Sequence, residues 1–406
     1  MKTSSSLIPA AWKCAAGLLL TPAALLAQTA PSADTINALK AQAEHFRIVR
    51  ERGEKAFYQP RFDLSALPHY QPQKLYAGWI KIHGNNYIAD GPLGEFWQKA
   101  FAKFQPGIRI SYYLPTSAGA FGALDYNQAD LIFSHRPGFY DLLAYERMKN
   151  CDPVEIAAVT GSYDVGGWEN SFTIIVNGEN PLKGITLEQL DGVFGSERDG
   201  GWVGTNWRPD LARGPEKNIR TWGQLGLTGE WADKPIHLYG FSLRYNTSTA
   251  FCDLVLKGSD KWNEKIHSYG NYMDAAGKRH LEAEEINQAV AHDKYSIGFN
   301  RFRSDQPNIR RLAVGEGSGP PVEHTIDNVQ NGSYPLATQV YFYTTVLPGD
   351  KMNPMVKEFL RFILSQEGQA EVQRDGKYLP LTAATVADQL KKLDQAAPAP
   401  AHETTP

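Results

Sequence analysis

The sequence lacks most of the features that mark enzymes, nucleic-acid-binding proteins and disulfide-rich domains. Three cysteines occur in 406 residues, too few for a fold held together by disulfides. The formal net charge of −3 at pH 7 argues against non-specific nucleic-acid binding, which needs a strong basic excess. The chain has no G-x-S-x-G turn and no H-E-x-x-H helix, and its ten histidines are scattered. We therefore expect no catalytic residues, no metal site and no cofactor, with a hydrolase as the rival interpretation.

Long apolar runs are also missing, except near the N-terminus. The stretch MKTSSSLIPAAWKCAAGLLLTPAALLAQTA has an early lysine, an apolar run and small residues at its end, which is typical of a secretory signal peptide. We predict that residues 1–27 form this signal, with cleavage near Ala27 or Ala30 and export of the remaining chain. An uncleaved membrane anchor is the weaker alternative, because Pro22 interrupts a run that is already short for a membrane span.

Two cysteines, Cys151 and Cys252, remain after this cleavage. An exported protein meets oxidising conditions, which permit a disulfide. Because sequence separation does not report geometry, a disulfide and a pair of buried thiols both remain open.

The composition that is present is ordinary for a soluble protein, with 42% hydrophobic and 21% charged residues. The length is sufficient for two packed lobes. We predict that residues 28–75 form an N-terminal extension, in which a charged helical pattern precedes proline-rich coil. We expect this extension to pack on the main body. Residues 391–406, which end in APAPAHETTP, predict a disordered tail.

Apolar runs typical of strands alternate with helical patterns through the middle of the chain. KLYAGWIKIHG, IRISYYL and ADLIFSH are predicted strands, separated by helices in GPLGEFWQKAFAKF and AGAFGALDYNQ. This order implies a parallel sheet with helices on its faces. Further on, SFTIIVNG and KPIHLYGF predict strands, ITLEQLDGVFG a helix, and NPMVKEFLRFILSQEGQAEVQRDG one amphipathic helix. For a tryptophan-rich insert, residues 196–231, we favour anchoring in the core, with a contact surface as the alternative.

Three junctions share one design, in which a strand ends, hydroxyl or amide side chains follow, and a helix begins. They are HGNNYIADGP (83–92), LPTSAGAFG (114–122) and RYNTSTAF (244–251). The first amides of a helix have no partner inside it and attract negative charge, although each junction alone is also an ordinary helix cap. Arg244 favours a binding site, because a guanidinium at a strand end needs either an oxyanion or a structural carboxylate.

These motifs, together with YSIGFNRF and ILSQEGQAEVQRDGKYLPL, resemble the periplasmic phosphate-binding proteins of ABC transporters over roughly residues 76–390. The resemblance implies an α/β, two-lobed type II periplasmic binding protein fold, with doubly wound sheets and a ligand cleft between the lobes. Lobe one would comprise residues 76–171 and 336–390, and lobe two residues 172–335. The resemblance also implies a monomeric periplasmic protein that captures inorganic phosphate for a membrane permease, without catalysis.

Matched position by position, the resemblance implies a set of phosphate-binding residues. Arg244 would clamp the anion, hydroxyls and helix-start amides would donate to it, and Tyr87 would contribute its backbone amide. The full set is Asn86, Tyr87, Thr116, Ser117, His135, Arg244, Ser248 and Thr249.

His135 departs from the family, which typically has an aspartate after the serine of ADLIFSHRP. A carboxylate only accepts hydrogen bonds, so it selects an anion that carries a proton over fully ionised sulfate. A neutral imidazole accepts the same proton, a protonated one donates to any oxyanion, and a third arrangement turns Arg136 into the cleft instead. Sulfate, molybdate or another oxyanion is therefore the alternative ligand, and a phosphate sensor or scaffold is the alternative role.

Overall fold

The computed structural model describes residue 58 and residues 61–114, 116–117, 119–163, 165, 171–301 and 306–396. The predicted signal peptide, most of the predicted extension and residues 397–406 lie outside the described residues. All the described residues belong to one compact unit.

The first sheet has five strands, and it contains the parallel arrangement predicted from the sequence. Its strands are β1 (Gly78–Gly84), β2 (Ile108–Tyr113), β3 (Leu131–Ser134), β4 (Val154–Thr160) and β16 (Gln339–Thr344). Their order is β2-β1-β3-β16-β4. β1 pairs in parallel with β2 and β3, whereas β16 pairs antiparallel with β3 and β4. The three parallel strands therefore end at one edge of this sheet.

The second sheet also has five strands. They are β5 (Thr173–Asn177), β9 (His237–Phe241), β10 (Ile266–Tyr269), β13 (Ser296–Asn300) and β14 (Ile309–Arg311), in the order β10-β9-β13-β5-β14. β9 is parallel to β10 and β13, and β5 is antiparallel to β13 and β14. Three two-stranded pairs are β6 (Gly184–Thr186) with β15 (Ala313–Gly315), β7 (Gly201–Val203) with β8 (Asn206–Arg208), and β11 (Tyr272–Met273) with β12 (Arg279–His280).

Helices cover the two sheets. The α-helices are α1 (Tyr87–Asp90), α2 (Leu93–Ala102), α3 (Ala120–Asp125), α4 (Phe139–Lys149), α5 (Leu187–Phe194), α6 (Asn246–Val255), α7 (Glu282–His292), α8 (Ile326–Gln330), α9 (Pro354–Ile363), α10 (Gln366–Asp375) and α11 (Ala383–Gln395). Short 3-10 helices span Pro209–Leu211, Pro215–Lys217, Trp222–Leu225 and Gly229–Trp231.

Each sheet has its own hydrophobic core. The core around the first sheet joins residues between Leu67 and Val165 to residues between Val340 and Leu393. The core around the second sheet joins Phe172 to Leu336 and takes in Leu379. The chain passes from the first sheet to the second between β4 and β5, and it returns between β15 and β16. We call these bodies the first lobe and the second lobe; the residue limits predicted for them stay a prediction.

Helix starts follow the local chemistry that the sequence indicates. At α5, the Thr186 hydroxyl accepts from the Gln189 amide while the Gln189 side chain accepts from the Thr186 amide, which is a capping box. At α9, the Asn353 side chain accepts from the Met355 amide, and proline occupies the first helical position, where its missing N–H costs nothing.

The C-terminal part of the chain differs from its prediction in two places. The predicted single helix is two helices, because Ser365 is buried between them and accepts from the amide of Gly368 to begin α10. The predicted disordered tail is wrong for residues 391–395: α11 continues to Gln395, since Leu393 packs in the first-lobe core.

The tryptophan insert only partly anchors in the core. Trp222 and Trp231 are buried as expected, but Trp202 is half-buried and Trp207 is exposed.

Cys151 and Cys252 are both free and buried. Of the two alternatives left open by the sequence, the structure therefore has the pair of buried thiols and not the disulfide. Across the part of the chain that the structure describes, no helix combines the length and the apolar character needed to cross a membrane.

Candidate functional site

The first predicted junction follows β1 and lies beside the end of β3. Gly84 has φ +125°, and a Cβ atom there would lie 2.2 Å from the carbonyl oxygen of Phe133, so only glycine fits this approach. The next amide, that of Asn85, donates to the same carbonyl at 2.7 Å. The close approach of the end of β1 to β3 therefore fixes the position of this junction.

Asn86 and Tyr87 are half-buried at the start of α1. The backbone amide of Tyr87 donates to Oδ1 of Asn85 at 2.9 Å. Asn85, which the sequence analysis did not select, is buried and occupies the amide that the resemblance assigns to the ligand. An anion would have to share that amide with Asn85.

The second junction follows β2 and begins α3. Thr116 is exposed and Ser117 is half-buried, and Gly119 takes a left-handed conformation with φ +74° directly before the helix. The Ser117 hydroxyl lies 3.1 Å from Nε2 of His135. The end of β3 and the second junction are therefore in direct contact.

His135 has its two ring nitrogens in different environments. Nδ1 lies 2.8 Å from the carbonyl oxygen of Arg136, which only accepts, so Nδ1 carries the hydrogen. In the neutral ring Nε2 is then an acceptor, and it lies 3.1 Å from the Ser117 hydroxyl and 3.4 Å from Nδ2 of Asn246. Ser117 and His135 belong to the first lobe and Asn246 to the second, so this group of side chains joins the lobes.

The third junction follows β9 and begins α6. The residue before this helix makes no side-chain cap, and the first turn contains no acidic residue, so its positive end is not neutralised locally. Arg244 is exposed, and no hydrogen bond or ion pair joins its guanidinium to another described residue. Thr249 is also exposed. This junction combines a positive charge with an uncapped helix start.

Ser248 has a different environment from the one expected. It is buried, and its hydroxyl lies 3.1 Å from the carbonyl oxygen of Phe241 and 3.0 Å from that of Ser242. Because a hydroxyl has one hydrogen to donate, this hydrogen is used on the end of β9. Ser248 therefore holds α6 against the strand that precedes it.

Two residues of α6 that the sequence analysis missed also face the first lobe. Asn246 contacts His135. Ala250 lies one turn further along α6, and Asp253 lies one turn after Ala250. Desolvation by the surrounding cleft walls raises the pKa of Asp253 to about 6, although nearby Arg136 and His135 oppose the shift. The residue itself is exposed, and solvent there limits the size of the shift. Helical spacing was the available signal, since positions 246, 250 and 253 share one face.

A cavity of about 370 Å³ opens between the lobes beside this group. Its walls include His135, Arg136, Ala250 and Asp253, together with Pro335, Ala337, Thr338 and Gln339 near the return crossover. Arg136 lies in this wall as well as His135, with its guanidinium 5.7 Å from the centre of the Tyr341 ring. Arginine charge from Arg136 and Arg301 suits a small oxyanion, but the same wall also carries the carboxylates of Asp253 and Glu316. Of the predicted site residues, all of which the structure describes, His135 alone lines this cavity. Within the described ranges, no group of histidine, cysteine and carboxylate side chains could hold a metal ion.

Comparison with known proteins identifies the family. A PBP superfamily domain matches residues 93–367, which is more than half of the chain. The chain belongs to the PBP superfamily. This membership agrees with the two-lobed α/β fold, and it confirms the type II periplasmic binding protein fold predicted from the sequence.

The relatives of this chain include a protein named for phosphate binding. The chain is 26% identical over 330 residues to the "Phosphate-binding protein PstS" of Pseudomonas aeruginosa, covering 81% of this chain and 91% of that protein. It is 25% identical over 307 residues to "Protein SphX" of Synechococcus elongatus, covering 73% and 77% of the two chains. Among solved structures, PstS from Borrelia burgdorferi is similar with a TM-score of 0.48 and 16% identity, over 75% of this chain and 99% of that one.

Proposed function

We propose that this superfamily member captures inorganic phosphate in the cleft between its lobes and delivers it to an ABC transporter permease. The observation that carries the proposal is the meeting of Ser117, His135 and Asn246 across the cleft. Arg244, two positions before Asn246 in the chain, adds an exposed guanidinium that pairs with no other residue the structure describes. The name of the Pseudomonas aeruginosa relative, which this chain matches over most of both lengths, supports phosphate as the anion.

In this proposal the site residues have separate roles. Arg244 supplies charge to the anion, and Thr116 and Thr249 supply exposed hydroxyls. His135 presents Nε2 as an acceptor, which suits an anion that still carries a proton. Ser248 holds the start of α6 in place, and Asn86 and Tyr87 close the site from the first junction.

A ligand panel tests the choice of anion. Thermal unfolding of the purified protein is measured with phosphate, sulfate, molybdate and a neutral sugar at millimolar concentration. A ligand at 100 times its Kd stabilises the folded state by about 2.7 kcal/mol, so phosphate is expected to give the largest rise in Tm. A larger rise with sulfate or molybdate would replace phosphate by that anion, and no rise with any anion would contradict the proposal.

Replacing Arg244 by glutamine tests the site itself. Hydrogen bonds to charged groups contribute about 1.5–3 kcal/mol, so calorimetry should show phosphate binding weakened by roughly ten- to a hundredfold. The matched control is Arg109→Gln. Arg109 is also exposed, but it lies at the start of β2, the opposite edge of the first sheet from the junctions. Equal losses in the two variants would remove Arg244 from the site.

The remaining features of the proposal concern the cell and the partner. We infer that residues 1–27 direct export to the periplasm, where the mature chain acts as a monomer and without catalysis. Closing of the two lobes on the anion would create the surface that the permease recognises. Incubation with a generic phosphoester should release no phosphate; release would favour the hydrolase interpretation.

A further inference from the structure

A two-stranded hairpin of the second lobe reaches across to the first lobe. It consists of β7 and β8, which pair from Gly201 with Arg208 to Val203 with Asn206. Gly204 and Thr205 form its tip, and Gly204 has φ +62°, as tight two-residue hairpin turns require. This hairpin lies in the tryptophan-rich insert, for which the sequence analysis favoured anchoring in the core over a contact surface.

The base of the hairpin is fixed to the second lobe. The backbone of Arg198 pairs with that of Arg213 on the two sides of the hairpin, at 2.9 and 2.8 Å. The Arg198 guanidinium binds both carboxylate oxygens of Asp191 in α5, at 2.6 and 2.7 Å. Within the hairpin, the Trp202 amide donates to the carbonyl of Lys257 at 2.9 Å. The hairpin therefore moves with the second lobe.

The tip of the hairpin contacts α4 of the first lobe. Oγ1 of Thr205 lies 2.7 and 2.6 Å from the two carboxylate oxygens of Glu146, so the hydroxyl donates to a charged acceptor. The Trp202 ring packs against Phe139, the first residue of α4, with ring centres 4.6 Å apart. One polar and one aromatic contact thus connect the lobes away from the anion site.

Helix α4 connects this contact to the wall of the cleft. Tyr145 is buried, and its hydroxyl donates to Oγ1 of Thr345 at 2.8 Å, which anchors α4 to the first lobe. The helix begins at Phe139, only four positions after His135 at the cleft. A contact that holds α4 therefore also limits movement of the first lobe's cleft wall away from α6.

We propose that the β7–β8 hairpin is an interlobe latch that slows release of the bound anion, with Thr205 and Glu146 as positioning residues. The inference rests on the proposed function, because it assumes that an anion bound between the lobes leaves only when they separate. Separation must break the Thr205–Glu146 hydrogen bond and part Trp202 from Phe139. Loss of the latch should therefore raise the dissociation rate of the bound anion.

The test replaces Thr205 by valine, which has nearly the same shape without the hydroxyl, and uses Thr205→Ser as the matched control. Phosphate dissociation is followed by stopped-flow tryptophan fluorescence after dilution of the complex. Loss of a hydrogen bond to a charged group should raise the dissociation rate of Thr205→Val by about tenfold or more. Thr205→Ser keeps the donor and should match the parent. Equal dissociation rates in Thr205→Val and Thr205→Ser would overturn the latch.

A double-mutant cycle and a ligand-free measurement complete the test. Glu146→Met, which removes both acceptor oxygens, and Thr205→Val together should change the dissociation rate no more than the stronger single change, because both remove one interaction; fully additive effects would contradict the assignment. Without ligand, small-angle scattering should give a larger radius of gyration for Thr205→Val than for Thr205→Ser. If the parent bound no phosphate, the proposed function would fail, and the scattering comparison alone would decide the latch: equal radii overturn it, and a larger radius supports it.

Discussion

Replacing Asp191 by asparagine should destabilise the protein strongly, because this carboxylate serves two buried arginines. Arg198 donates to both of its oxygens at 2.6 and 2.7 Å, and Nε of Arg213 lies 3.4 Å from Oδ1. The side chains of all three residues are only 4–7% exposed. Burial also lowers the pKa of Arg213, which shows how costly it is to keep this charge away from water. The substitution would remove the carboxylate that binds the Arg198 guanidinium through two contacts and the buried carboxylate nearest to Arg213.

The expected loss follows from what burial does to an ion pair. Removing one partner of a buried pair costs about 3–5 kcal/mol, and asparagine keeps one acceptor oxygen, so we expect roughly 3 kcal/mol at the lower end of that range. The chain offers a matched control in Asp210→Asn. Arg208 binds Asp210 through two contacts of 2.7 and 2.6 Å, but these side chains are 50% and 56% exposed. Solvent screens such a pair, so we expect no measurable change.

Urea unfolding of the phosphate-free proteins, followed by tryptophan fluorescence, measures both losses. Ligand is left out because it would add its own stabilisation. The slope of unfolding free energy against urea should be the same in the parent and both variants. A loss below about 1 kcal/mol for Asp191→Asn, or equal losses in the two variants, would refute the reasoning that burial makes this ion pair structurally important.

Two further predictions concern titratable groups of the cleft. Because the pKa of Asp253 is raised to about 6 in the folded protein, the folded state holds more protons than the unfolded state between about pH 4 and 6, and stability should fall as pH rises through that window. Asp253→Asn should remove this fall in urea midpoints measured from pH 4 to 7; an identical fall in the variant would contradict the assignment. His135→Asp should raise the preference for phosphate over sulfate by about tenfold or more, since a carboxylate repels a fully ionised anion. Identical phosphate and sulfate affinities for parent and variant in calorimetry would remove His135 from ligand recognition.

Local patterns predicted most of the regular structure. The strands of KLYAGWIKIHG, IRISYYL and ADLIFSH lie where alternation and branched side chains indicated, and they pair in parallel. The buried face of α9 also follows its sequence spacing, with Val356 and Ile363 fully buried. These features depend on residues within a few positions of one another. The break at Ser365 was missed because a serine inside an apolar pattern caps a new helix only where the core forces the chain to turn.

Side-chain partners in the candidate site were harder to predict. The junctions were recognisable from their hydroxyl and amide residues, and the structure brings Ser117 to His135. Yet the Ser248 hydroxyl donates to the end of β9, and Asn85 takes the Tyr87 amide. A donor with several acceptors in reach chooses among them by geometry, which residue type alone does not specify.

The sequence by itself determined where most strands and helices form and which segments present donors to an anion, because these preferences act through neighbouring residues. Only the tertiary structure decided which of these segments meet. His135 and Asn246 are 111 positions apart, and Thr205 and Glu146 are 59 positions apart, yet each pair is in contact. Those contacts exist because packing two sheets around separate cores brings distant edges together, and no local preference encodes that distance.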